Sequence, residues 1–235
     1  VHVRSNKLPN KEATFAAVQI RATDDYRHQG LRKRLVEVLK TKGVSDAEVL
    51  GAINSIPRHL FIDDTAFLEL AYQDVAFPIA CGQTISQPYT VAFQTELLQL
   101  KKGMKVLEVG TGSGYQTAVL AHIGAKVFSI ERHRPLYLLT KERLMRMSLR
   151  ASLYHGDGYL GLEREAPFDR ILVTCGAPFV PQDLQSQLKV GGRLVIPVGE
   201  GEEQRMLCVE RLSEVDFTTK DLGSFRFVPM LQDKA

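Results

Sequence analysis

Cysteine is scarce in this 235-residue chain and poorly placed for structural work. Cys81, Cys175 and Cys208 lie far apart, are odd in number and form no C-x-x-C pair. Neither a disulfide framework nor a zinc site is indicated, and a reducing, cytoplasmic setting fits this usage. The six histidines show no metal-ligand spacing, so no metal is implied. An excess of one charge is also lacking. The 30 basic and 27 acidic residues leave +3, too little to propose a nucleic-acid or anionic-membrane surface. No apolar run approaches the about 20 residues of a membrane span, and the short patch at 16–20 has no signal-peptide core. There are no internal repeats and no low-complexity tract.

One absence is local. Residues 75–95 carry no charged side chain, although 24% of the chain is charged. The run includes "GQTISQP" at 82–88, and its glutamines, threonines and prolines rule out a membrane helix. Ser86 at its centre raises the question of a nucleophile.

What is present suits a globular protein: 44% of residues are hydrophobic and the length allows a large core. We expect one compact unit in three stretches. Residues 1–25 lack sustained periodicity and read as a loosely attached leader. Residues 26–100 form a helical layer and a loop. Leu31, Leu35, Val38 and Leu39 give one apolar helix face ending near Gly43, and Ser45 or Asp46 caps a second helix through Ile53. Pro88 suits the first turn of a third helix, to about Leu100. From 101 to 235 short apolar strands alternate with helical segments: 105–110, 126–131, 151–156, 168–176 and 192–199, with helices after Tyr115, after Pro135 and around Leu184. Strands joined by crossover helices require a parallel sheet. "QRMLCVERL" and "FTTKDLGSFRFVPML" read as an antiparallel hairpin on its edge.

Chemistry concentrates in "LEVGTGSGYQTAVLA". Gly110, Gly112 and Gly114 stand between a strand and a helix, where glycine lets the backbone turn sharply and approach a ligand. The G-x-G-x-G spacing departs from the G-x-G-x-x-G of dinucleotide sites, and the Gly-Lys-Ser/Thr of a Walker loop is missing. Glu108 precedes the loop, Glu131 ends the second strand and Asp157 follows the third, all at the carboxyl ends where an open α/β sheet binds ligands. Carboxylates there would repel a pyrophosphate but suit S-adenosylmethionine, a cation with a ribose diol and no phosphate. Glu131 is placed for the ribose hydroxyls and Asp157 for the adenine amino group. Glu108 has a second reading as a helix cap, and Tyr115 serves either packing or contact.

These three features resemble the class I S-adenosylmethionine-dependent methyltransferases. "GQTISQP", "VLEVGTGSGYQTAVLA", "HGDGYLG", "APFDRILVTCGAP", "LKVGGRLVIPVG" and "FRFVPM", in this order across about residues 31–231, are similar to the protein-L-isoaspartate (D-aspartate) O-methyltransferases. Cys81 and Cys175 depart modestly from that pattern. The resemblance implies a Rossmann-like, mostly parallel seven-stranded sheet with helices on both faces. It also implies substrate between the GQTISQP loop and the C-terminal strands. Carried over residue by residue, it assigns the substrate to Gln83, Thr84, Ser86, Val228 and Pro229. It assigns the cofactor to Thr84, Ile85, Ser86, Glu108, Gly110, Thr111, Gly112, Glu131, Arg132, Gly156, Asp157, Gly158 and Thr174. The implied partners are damaged proteins and peptides with exposed isoaspartyl sites, without nucleic acid, membrane or metal, and a monomer is expected.

An isoaspartyl α-carboxylate, with a pKa near about 3.5, is already ionised at neutral pH, so methyl transfer to it needs no general base. A nucleophilic serine would need a histidine base, and His59 and His122 belong to unrelated segments. Ser86 is therefore expected to donate a hydrogen bond to the substrate carboxylate, helped by free amides of the helix at Pro88. Without the surrounding family motif, Thr84 and Ser86 read more readily as turn stabilisers before the helix. The alternative functions are a small-molecule or nucleic-acid methyltransferase and an inactive cofactor-binding interaction protein. Thr174-Cys175-Gly176-Ala177-Pro178 lacks the Asn/Asp-Pro-Pro-aromatic motif of amino-methylating nucleic-acid enzymes.

Overall fold

A computed structural model describes residues 24–235, so the expected leader lies almost wholly outside the described residues. Helix α1 (Tyr26–Thr41) begins earlier than its apolar face suggests, because Asp25 and His28 form a reciprocal capping box. Asp46 caps α2 (Ala47–Ser55) by accepting the Glu48 and Val49 amides, whereas Ser45 turns to Glu96. A two-stranded ribbon follows, β1 (Phe77–Pro78) antiparallel to β2 (Thr84–Ile85). Helix α3 (Pro88–Leu98) has proline in its first turn, as expected.

The core begins with β3 (Lys105–Val109), α4 (Tyr115–His122), β4 (Lys126–Glu131), α5 (Arg134–Arg146) and β5 (Ser152–His155). It continues through β6 (Phe168–Val173), α6 (Gln182–Ser186), β7 (Leu188–Val198), β8 (Gln204–Arg211) and β9 (Phe217–Phe225). The seven-stranded sheet runs β5-β4-β3-β6-β7-β8-β9. The first five are mutually parallel, β8 runs antiparallel to β7, and β9 runs antiparallel to β8. Helices therefore cover both faces, and β3 is apolar almost throughout because both its faces are packed. The chain leaves β3 where neighbours β4 and β6 take opposite directions along the sheet, which opens a crevice at the strands' carboxyl ends. The N-terminal helices pack over α4 through Leu39, Ile53, Phe61, Tyr115 and Val119.

Candidate active site

The crevice is a cleft whose floor is the glycine loop. Gly110 has φ +98°, and a Cβ on it would lie 2.5 Å from the Thr174 hydroxyl oxygen, so only glycine fits. The Thr174 hydroxyl donates to the Gly110 carbonyl at 2.7 Å, tying the ends of β3 and β6 together. Gly112, at φ +52°, donates its amide to Glu131 Oε2 at 2.9 Å, and Oε1 accepts the His133 amide at 2.8 Å. From α5, the Thr140 hydroxyl donates to the Gly112 carbonyl and Arg143 donates to the Ser113 carbonyl.

The opposite wall is the uncharged run. Gln83, Thr84, Ile85 and Ser86 all face the cleft, together with Val228 and Pro229 from the C-terminal stretch. Gly176 fixes that stretch, donating to the Val228 carbonyl at 2.8 Å and accepting from the Met230 amide at 2.7 Å. A second, open groove of about 1340 Å³ shares Thr84, Ser86, Thr174 and Val228 with the first. The Thr84 and Ser86 hydroxyls make no hydrogen bond to any described residue, so they do not stabilise the turn they sit in. Among the described residues no histidine is bonded to Ser86: His59 pairs with Tyr72, and His133 lines the cleft without reaching the serine.

Two residues that the sequence did not single out hold this wall. Arg58, completely buried, donates to the carbonyls of Ala71, Val75 and Ser86. Burial lowers its guanidinium to about 10, still charged at neutral pH. Asp74, immediately before the uncharged run, accepts the Tyr89 amide at 2.7 Å and Gln87 Nε2 at 3.0 Å. The Tyr89 amide, one of the first-turn amides that the helix at Pro88 is expected to offer a substrate, is therefore already engaged. An internal carboxylate already takes the Tyr89 amide, the anion-binding position.

Ten of the thirteen cofactor expectations converge on the cleft: Thr84, Ile85, Ser86, Gly110, Thr111, Gly112, Glu131, Arg132, Gly158 and Thr174. Three stand off its wall. Glu108 is fully buried, its Oε2 accepting the Thr117 hydroxyl while Oε1 has no hydrogen-bond partner. Burial pushes its carboxyl up to about 8, so it is mainly protonated at neutral pH. Its bond to Thr117 in the first turn of α4 is a side-chain support, not a backbone cap. Gly156 packs where a Cβ would meet Ile130 at 2.8 Å. Asp157 accepts the Tyr159 and Asp233 amides, both at 2.8 Å, beneath a C-terminal stretch that Arg132 grips through the Gln232 and Asp233 carbonyls. Tyr115 is wholly buried, which favours packing. Cys175 lines the cleft, but burial pushes its thiol up to about 12 and leaves it a neutral wall group.

The donor set fits a cationic nucleoside without phosphate. Glu131 offers a buried carboxylate with lone pairs beyond those used by two amides, and among the described residues no lysine lines the cleft.

Residues 30–235 match the family model for Protein-L-isoaspartate(D-aspartate) O-methyltransferase. A protein-L-isoaspartate O-methyltransferase of Christiangramia forsetii is 62% identical over 212 residues, 90% of this chain and 99% of that protein. A solved structure described as a protein-L-isoaspartate O-methyltransferase is similar with a TM-score of 0.76 and 30% identity, covering 84% of this chain and 65% of that one. A solved Plasmodium falciparum structure described as the same methyltransferase, in complex with S-adenosyl-L-homocysteine, gives a TM-score of 0.75 at 26% identity. There the match covers 86% of this chain and 99% of the other.

Proposed function

This chain belongs to the protein-L-isoaspartate(D-aspartate) O-methyltransferase family, and we propose that it esterifies the free α-carboxylate of L-isoaspartyl residues in damaged proteins and peptides. D-aspartyl β-carboxylates are weaker substrates. The observation that carries this reading is the unpartnered Ser86 hydroxyl, placed where the cleft meets the open groove.

S-adenosylmethionine, when bound, supplies a methyl group on a sulfonium, and its demethylated product is S-adenosylhomocysteine. The protein's task is to hold donor and acceptor in line and to keep water out. Glu131, the glycine loop and Arg132 hold the donor, with Asp157 ordering the cover over that end. Gln83, Thr84, Val228 and Pro229 frame the acceptor, and the Ser86 hydroxyl orients its carboxylate by donating a hydrogen bond. The carboxylate is the nucleophile, so no proton is removed and no covalent enzyme intermediate forms. The absence of lysine and arginine from residues 75–95 serves this step, because a full counter-charge would stabilise the carboxylate most before it reacts. Succinimide formation from the ester then proceeds without the enzyme.

The open groove supports a flexible, exposed polypeptide segment as substrate, since a folded helix or strand is too bulky to present its carboxylate at Ser86. We further propose a cytoplasmic monomer without nucleic-acid or membrane partners, in line with the near-neutral charge and the absence, among the described residues, of a membrane-length apolar helix. The test offers labelled S-adenosylmethionine with an L-isoaspartyl peptide, an RNA and a catechol. Label in the peptide alone supports the reading, and label in RNA or catechol without peptide transfer overturns it.

A further inference from the structure

Away from the cleft, Asp24, His28 and His59 gather ligand-type atoms within 4.8 Å of one another. They come from the lead-in and first turn of α1 and from the 3-10 turn at Arg58–Phe61. His59 is 1% exposed, and its Nε2 has no hydrogen-bond partner among the described residues. A buried ring nitrogen left in this state bears its desolvation uncompensated. Its Nδ1 lies 2.5 Å from the Tyr72 hydroxyl, which also accepts from Arg32 Nη1 at 3.2 Å. The His28 ring stacks on His59 with centroids 3.9 Å apart, and Asp24 is gripped by both terminal nitrogens of Arg32.

We propose that Asp24, His28 and His59 bind one zinc-type divalent transition-metal ion, a structural site separate from the methyl-transfer cleft. Two imidazoles and a carboxylate suit zinc, cobalt or nickel, whereas magnesium and calcium demand oxygen ligands. Hydrogen bonding of Nδ1 to Tyr72 fixes the ring and leaves Nε2 as the ligand atom, as is common for metal-bound histidine. Arg32 does not exhaust Asp24, because each carboxylate oxygen keeps a lone pair beyond the one it uses. Zinc–nitrogen bonds of about 2.0–2.1 Å place tetrahedral ligand atoms roughly 3.3 Å apart, so the cluster must contract around the ion. His28 provides the movement: its side chain is 23% exposed on the first helical turn, and to reach the ion it gives up the Asp25 amide and its stack on His59. Water completes the coordination. The bound ion then pins the start of α1 to the turn that carries Arg58.

The test is calorimetric titration of Zn2+ into the chelator-treated full chain under reducing conditions, with His28→Ala, Asp24→Asn and Cys81→Ser beside the wild type. The wild type and Cys81→Ser are expected to bind one ion per chain and to melt at higher temperature with Zn2+. His28→Ala and Asp24→Asn, folded by circular dichroism, are expected to bind at least about tenfold more weakly, since loss of an outer-shell partner alone costs about that much. The proposal is overturned by a wild type that binds no stoichiometric Zn2+, by wild-type affinity in both ligand variants, or by loss of binding in Cys81→Ser.

Discussion

Ser86 and Glu131 divide the proposed work between acceptor and donor, and their substitutions should fail differently. Ser86→Ala removes one donor to a charged oxygen, worth about 1.5–3 kcal/mol. Its kcat/KM for an isoaspartyl peptide is expected to fall by about tenfold to a hundredfold, with S-adenosylhomocysteine affinity largely preserved by calorimetry. Wild-type turnover at limiting peptide would remove Ser86 from the site. Glu131→Ala should instead weaken cofactor binding by roughly 1.5–3 kcal/mol, and more where the Gly112 and His133 amides lose their order. Glu108 acts on stability. Its carboxyl titrates near 4.5 when unfolded and at about 8 when folded, so between these values the folded state holds the extra proton. Its contribution is full below about pH 4.5 and is lost as pH rises through about 8. Glu108→Gln should flatten that decline in urea midpoints measured from pH 5 to 8, and an unaltered slope would refute the assignment.

At the scale of elements, the uncharged loop is carried by ions outside it. Arg58 holds three backbone carbonyls from beneath, and Asp74 takes the Tyr89 amide. Arg58→Met leaves those carbonyls dry, and one orphaned buried acceptor alone costs about 1–3 kcal/mol. It is expected to lower the urea midpoint and to raise KM for peptide, because the Ser86 backbone loses its anchor; normal KM in a destabilised variant would confine Arg58 to folding. These two residues also mark where sequence legibility stops. The strands were readable from apolar runs, α2 from Asp46 and α3 from Pro88, because those signals are local. Arg58 and Asp74 are single charges in segments without periodicity, and only the packing of distant turns gives them partners. Glu108 lies beside the glycine loop in sequence, yet packing of both faces of β3 buries it below the loop. The free hydroxyls of Thr84 and Ser86 became meaningful once the structure showed that the turn does not use them.

At the scale of the molecule, the parallel strands bring the glycine loop, Glu131 and Thr174 to one edge, and the N-terminal layer lowers the 82–88 loop onto it. The C-terminal stretch closes the third side and opens the adjoining groove. Both substrates thus meet at a junction, with donor chemistry built by the sheet and acceptor chemistry by the appended segments. The central claim is that this junction selects an isoaspartyl carboxylate on a flexible peptide. The most direct measurement is methyl transfer to two peptides of one sequence, carrying L-isoaspartate or normal L-aspartate at a single position. Methylation of the isoaspartyl peptide alone is the predicted result; equal methylation of both, or of neither while S-adenosylhomocysteine still binds, would contradict it.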